Sequence, residues 1–410
     1  MRIAIVLITI ILFQISAIGQ SKRQYLKENR YDLNQEILFP QTDFKLIGFG
    51  ALHGSAKTER AEIRLLKSIM TNNDLSVYVM ETDYSIGYFF NTFLKNGDTI
   101  LLKDLINHYG IRVPQEKSIE TYNKWIELYK LKKGQSTNKK LRVYGIDPIV
   151  SYKYTFKHIV ELLKEAKGIG SIIEIKNQVE LDTTDFSPYY DSYSKSILKK
   201  FVNELTTKDI DLENPELNHI ITNLKLSFDK YDREKIIFEN YLWVSNYHRF
   251  RQQKQFIKYG FFHIEKEREY QNYPSFFTRL IEQDIHKRSN IITIIGYLTD
   301  SKVLWDLKYD ENGNYIGYTT EGGYGISDYW KEYFRGIKNL KKAKLSDLTL
   351  YRLNKPDSPY NKPKPDLIEI KMLFSKSNKA GVKEKSTTRF IDYALLISDS
   401  KANKPLEELK

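Results

Sequence analysis

The stretch Leu46–Ile69, LIGFGALHGSAKTERAEIRLLKSI, followed by Leu75–Ser85, LSVYVMETDYS, decides the fold. Lys45 to Phe49 is a short apolar run that ends in glycines, and Ala51 to Thr58 is a polar turn. From Glu59 to Thr71 the apolar residues Ile63, Leu65, Leu66 and Ile69 recur at helical spacing. Leu75 to Glu81 is again apolar, β-branched and aromatic, as a buried strand requires. Strand, helix and strand in this order form a βα unit, whose strands lie parallel with helices on the faces of the sheet.

Outward from this unit the alternation continues. Helical patterns run through Ser85 to Leu94 and Glu120 to Leu131, and Leu141 to Ile146 is a third strand closed by Asp147-Pro148. From about Ser151 to Gln255 the chain reads as several long helices, the clearest over Phe228 to Phe250. Strands return at Phe256 to Ile264 and Asn290 to Ile295, with a helix at Pro274 to Lys287 between them. The expected architecture is α/β: a central, mostly parallel sheet with flanking helices and a large helical insertion or cap over about 151–255. One domain covers 20–410. The segment 297–410 is rich in Tyr and Lys, with turns at GNYIGY and EGGYG, a loop at Pro356 to Pro365, a Lys/Ser-rich tract at Lys376 to Lys385 and a last strand at Phe390 to Ser398.

Composition bounds the chemistry. The 410 residues contain no cysteine, which excludes disulfides, thiolate metal sites, iron–sulfur clusters and thiol nucleophiles. Catalysis would fall to seven histidines, carboxylates, hydroxyls and cationic side chains. The net charge of +12, 64 Lys and Arg against 52 Asp and Glu, comes from scattered lysines without a nucleic-acid-binding motif, so no nucleic-acid partner is expected. The first residues, MRIAIVLITIILFQISAIGQ, carry Arg2, an apolar run from Ile3 to Phe13 and small residues at Ala17 and Gly19. They read as a signal peptide over 1–19, which implies an exported protein, periplasmic or secreted. No later stretch is apolar and long enough to span a bilayer.

Ligands of open parallel sheets bind at the carboxyl ends of the strands. There the sequence places His53 and Ser55 after the first strand, Glu81 and Asp83 at the second, Asp147 at the third, and His263 at the fourth. The remaining histidines, His108, His158, His219, His248 and His286, fall on helices or loops and read as structural. A convergence of two histidines and several carboxylates, with no thiol and no GxSxG elbow, suggests a histidine acting as general base on water. His53 is the candidate base, Glu81 its orienting carboxylate, and His263 a partner in proton transfer or oxyanion stabilisation. Arg60 and Arg64, at i and i+4 on the following helix, are candidates for positive charge at the site; Asp147 and Asp83 are carboxylates that equally suit helix N-caps.

These segments resemble the opening of the erythromycin esterase-like proteins, in which a strand leads into a Gly-Glu-x-x-His-Gly-Ser/Thr loop, an Arg-bearing helix and a strand ending in Glu. The resemblance extends over about 44–300, through Lys124-Trp125, LRVYGIDP, Arg233-Glu234 and YGFFHI. It implies a metal-independent hydrolase without cofactor, acting on an ester or lactone of a small molecule, with His53 as base, Glu81 its acidic partner, His263 the later histidine and Glu234 a further site carboxylate. The chain departs from the motif at Gly50, where the family has Glu, at Ile237, where it has Met, and in carrying one later histidine instead of two. The wider superfamily includes haem-uptake proteins and metal-dependent proteases, so two other functions follow. One is a catalytically degenerate protein binding haem or another aromatic ligand; the other is a metallohydrolase using His53, Glu81, Asp147 and His263.

Overall fold

The computed structural model describes residues 21–135, 141–163, 169–181, 185–207 and 213–410; the expected signal peptide, 1–19, lies outside them. Apolar strands with helices between them assemble as the alternation predicts. The strands are β1 (Arg30–Asp32), β2 (Leu46–Ala51), β3 (Leu75–Met80), β4 (Arg142–Gly145), β5 (Lys254–Tyr259), β6 (Ile291–Thr299), β7 (Val303–Tyr309), β8 (Tyr315–Glu321), β9 (Asp328–Tyr329), β10 (Glu332–Phe334), β11 (Leu348–Arg352), β12 (Ile370–Met372) and β13 (Tyr393–Ser398). Eight of them form one sheet in the order β1-β11-β13-β6-β2-β5-β3-β4. From β13 to β4 all neighbours are parallel, and β11 and β1 add an antiparallel edge. β2, β6 and β13 are buried along their whole length, because helices cover both faces of a parallel sheet.

The helices are α1 (Lys22–Glu28), α2 (Ala56–Asn72), α3 (Tyr84–Asn96), α4 (Thr99–Tyr109), α5 (Ile119–Gly134), α6 (Tyr152–Leu162), α7 (Ser171–Leu181), α8 (Tyr193–Thr207), α9 (Pro215–Ser227), α10 (Arg233–Tyr247) and α11 (Phe276–Glu282), followed by shorter ones. One face of the sheet packs through Phe49, Tyr78 and Phe256 on α2 to α5, where Trp125 stacks on Phe90 with ring centres 3.8 Å apart. The other face packs through Ile257 and Tyr259 on the helices between β4 and β5 and on α11. Removing one of these large side chains would cost about 3–5 kcal/mol.

The helix over Phe228 to Phe250 begins only at Arg233, because Asp232 caps it by accepting from the amide of Lys235. The strand expected to reach Ile264 ends at Tyr259. Phe261–Ile264 is a 3₁₀ turn, so His263 stands on a turn and not on a strand. That turn explains Gly50: a Cβ there would lie 2.5 Å from the Cα of Phe261. β7 and β8 form a hairpin joined to the His53 loop, with the Leu304 amide donating to Gly54 O at 2.8 Å. β9, β10 and β12 form a small separate sheet.

Candidate active site

The carboxyl ends of β2, β3, β4 and β5 bring His53, Glu81, Asp147 and His263 to one rim. His53 follows β2 on a loop that Gly54 turns at φ +87°. Its Nδ1 lies 2.6 Å from Glu116 Oε1. Glu116 is buried in a short turn before α5, and its second oxygen accepts from the Thr121 hydroxyl at 3.1 Å. His263 repeats the arrangement: its Nδ1 bonds Glu234 Oε1, and Glu234 opens α10. In both rings a carboxylate at Nδ1 fixes the proton there and leaves Nε2 as the acceptor.

Both Nε2 atoms face Glu81. His53 Nε2 is 4.0 Å from Oε2, and His263 Nε2 is 3.9 Å from Oε1. Glu81 is in turn fixed by the amide of Gly260, which donates to Oε2 at 2.9 Å. Arg233 is the hub of the second half. Its Nε and Nη2 fork onto Asp147 at 2.9 and 2.7 Å, Nη2 also reaches Glu81 Oε1 at 2.7 Å, and Nη1 donates to His263 Nε2 at 3.1 Å. A planar guanidinium can serve three partners in this way where an ammonium cannot. Arg112 adds positive charge 3.7 Å from Asp147.

The electrostatics follow from these contacts. Burial would raise the Glu81 pKa, but His53, His263 and Arg233 outweigh it and hold the carboxyl at about 2. Glu116 is likewise pulled well below the usual range, against burial, by its bond to His53 and the charge of Lys124. For His263 burial opposes charging, yet Glu234 and Glu81 prevail and raise its pKa. Behind Glu116 lies a second buried cluster. Lys124 Nζ stands 2.5 Å from Glu59 and 3.1 Å from Glu62, and the Tyr78 hydroxyl donates to Glu62. One lysine shared by two carboxylates leaves Glu59 under-compensated, and burial with its acidic neighbours lifts its pKa to about 7.

The supporting residues expected from the sequence fall in different places. Arg60 is exposed and donates to Asn34, and with Arg64 it lines a groove of about 280 Å³ between α2 and α5. The two arginines share a face, but that face looks away from the core, since α2 buries Ala61, Leu65 and Ser68 instead. Ser55 is buried with its hydroxyl on Ser400 Oγ at 2.7 Å, a link between loops. Asp83 is the N-cap of α3: Oδ1 accepts from Ile86, and Oδ2 from Val150 and Ser151. Asp147 is not a cap; it is the anchor of Arg233.

The metal-binding alternative loses its donors for the same reason. A guanidinium occupies the space between Glu81 and Asp147, and among the described residues no group of three or more His, Asp or Glu side chains has the geometry to hold a metal ion. Glu116 and Arg112 were not singled out from the sequence. Both lie near a turn between helices, Val113–Lys117, where no strand end draws attention to them. Arg233 was visible only as the neighbour of Glu234. The other histidines sit elsewhere: His158 bonds Ser85, His219 stacks on Trp243, His248 bonds Tyr84, His286 bonds Tyr241 and His108 bonds Ser151.

The mostly parallel sheet and its flanking helices are a fold shared with solved structures that include an erythromycin esterase. Among solved structures the chain is similar to a succinoglycan biosynthesis protein (TM-score 0.62, 14% identity, covering 95% of this chain and 99% of that one). It is also similar to a Bacillus cereus protein (TM-score 0.60, 14% identity, 93% and 98% covered). A third is a point mutant of the erythromycin esterase EreC in its open conformation (TM-score 0.57, 13% identity, 90% and 93% covered). No family model and no curated protein matches the sequence.

Proposed function

We propose that the protein is a hydrolase that uses His53 to activate water against an ester or lactone bond of a small molecule. One observation carries this reading: His53 has its Nδ1 on the buried Glu116, while its Nε2 faces the ionised Glu81 across 4.0 Å. A water bonded to both groups would be oriented and ready to lose a proton. As the water oxygen attacks the carbonyl carbon, its proton passes to His53 Nε2, and Glu116 stabilises the imidazolium. The carbonyl electron pair moves to oxygen, where Arg233 supplies positive charge. Collapse of the tetrahedral species expels the alkoxide, which takes the proton back from His53 and restores it.

The degenerate-binding alternative rested on Gly50 in place of Glu. The Phe261 backbone occupies the space a side chain at 50 would need, and Glu116 brings a carboxylate to His53 Nδ1. This favours a site re-equipped over one that has lost function. The EreC neighbour, named an esterase, adds weight to the bond type. The N-terminal segment supports export to the periplasm or medium, which N-terminal sequencing of the mature protein would test. The activity test is His53→Ala in the purified protein against a panel of esters and lactones. Hydrolysis is expected to disappear; unchanged turnover would overturn the assignment of the base.

A further inference from the structure

The small sheet β9-β10-β12 ends in two adjacent turns that place large apolar side chains in water. Trp330 is 63% exposed, Leu373 57% and Phe374 78%. The turns are tied together by the Leu373 amide, which donates to Lys331 O at 2.9 Å, and by pairing of Glu332 with Met372. The protrusion is braced on the body of the molecule: Phe334 of β10 meets Phe261, in the His263 turn, with ring centres 5.9 Å apart. Three such side chains clustered on a projecting edge form an apolar tip that water does not favour.

Positive charge lies beside the tip and along the segment that follows it. Lys331 lies over the Trp330 ring at 5.0 Å, and Lys376, Lys379 and Lys383 are exposed on the segment that continues from Phe374. The acidic groups nearby are largely engaged: Glu384 pairs with Lys383 at 3.2 Å, and Glu369 with Arg335 and Lys371 at 2.7 and 2.6 Å; Glu332 lies half-buried on β10. Within Lys371–Lys385 five lysines face one glutamate, so this tract concentrates part of the chain's +12 charge.

We propose that this edge is a docking surface for an anionic phospholipid bilayer. Trp330, Leu373 and Phe374 enter the boundary between headgroups and acyl chains, and Lys331, Lys376, Lys379 and Lys383 lie against lipid phosphates. A soluble polyanion would use the lysines and leave Leu373 and Phe374 in water; a bilayer uses both, and a Trp at the boundary suits the amphipathic indole. Docking would hold the His263 turn near the lipid surface.

The test uses the full chain with phosphatidylglycerol vesicles, with and without bromine on the acyl chains, and with phosphatidylcholine vesicles. Bromine is expected to quench a component of tryptophan fluorescence in phosphatidylglycerol that the Trp330→Phe variant lacks. This readout is specific to the edge even where the apolar N-terminal segment also binds lipid. Replacing Lys376, Lys379 and Lys383 together by Gln is expected to weaken binding to phosphatidylglycerol at least tenfold. The Leu373→Ser, Phe374→Ser double variant should lose the Trp330 quenching while its circular dichroism stays that of the parent. Equal quenching in parent and Trp330→Phe would overturn the proposal. So would binding to heparin that needs the lysines but not Leu373 and Phe374, without any quenching by lipid bromine.

Discussion

His53 and Glu116, 63 positions apart in sequence, meet at 2.6 Å through a turn that carries Glu116 under the β2 loop. The contact gives His53 its tautomer and gives the site a buried negative charge on the side of the ring away from Glu81. Glu116 is 1% exposed, so water does not screen this charge.

Glu116→Gln keeps the shape and removes the charge that stabilises the imidazolium. Ester hydrolysis should fall through kcat by roughly 10²-fold or more, with KM little changed. Steady-state kinetics on the best substrate from the panel would read this. A variant with full kcat would mean that proton transfer does not run through His53.

Arg233 joins two carboxylates that are otherwise buried side by side, Glu81 and Asp147. Arg233→Met leaves both without their cation and should destabilise the fold by about 3–5 kcal/mol in urea titration. Arg233→Lys keeps the charge but cannot fork onto Asp147 and still reach Glu81 and His263. It should fold with a smaller loss and show reduced kcat. Equal stability of all three proteins would deny Arg233 its part in holding the rim together.

The parallel sheet was legible because its central strands are apolar runs, and their carboxyl ends displayed His53, Glu81 and Asp147 in order. His263 reaches the rim from a turn and not from a strand end, since an apolar run does not reveal that the chain turns at Gly260. The edge strand Leu348–Arg352 and the two- and three-residue strands of the small sheet escaped because pairing, not local pattern, makes them strands. Arg60 and Arg64 misled because i, i+4 spacing says that two side chains share a face but not which way it looks. Glu116 could be found only through the fold: nothing in VPQEK marks a carboxylate that will lie against a histidine.

The Glu59 cluster predicts a pH dependence. The folded-state value of about 7 lies above the ordinary 4.5, so the folded form binds this proton more tightly than the unfolded form. The stabilisation is full below 4.5 and is lost as pH rises from there through about 7. Glu59→Gln lacks this loss. Relative to the parent it should gain on the order of 2–3 kcal/mol between about pH 5 and about pH 8, read from urea unfolding at each pH. A constant difference across that range would show that Glu59 is ionised throughout.

His158 gives the opposite slope. Its ring is fully buried, with Nδ1 on Ser85 Oγ at 3.2 Å and its face on Tyr88, ring centres 4.2 Å apart. Burial alone lowers its pKa from 6.5 to about 4. Stability from the neutral ring is complete above 6.5 and is lost as pH falls through 6.5 toward 4, the unfolded chain then binding the extra proton. His158→Phe keeps the stack on Tyr88 and has nothing to titrate. At about pH 7.5 the variant should be the less stable, by about 1 kcal/mol for the lost bond to Ser85. Toward about pH 5 it should recover about 2 kcal/mol relative to the parent. Parallel stability curves for the two proteins between those pH values would mean that His158 is reached by water and charges in the folded state.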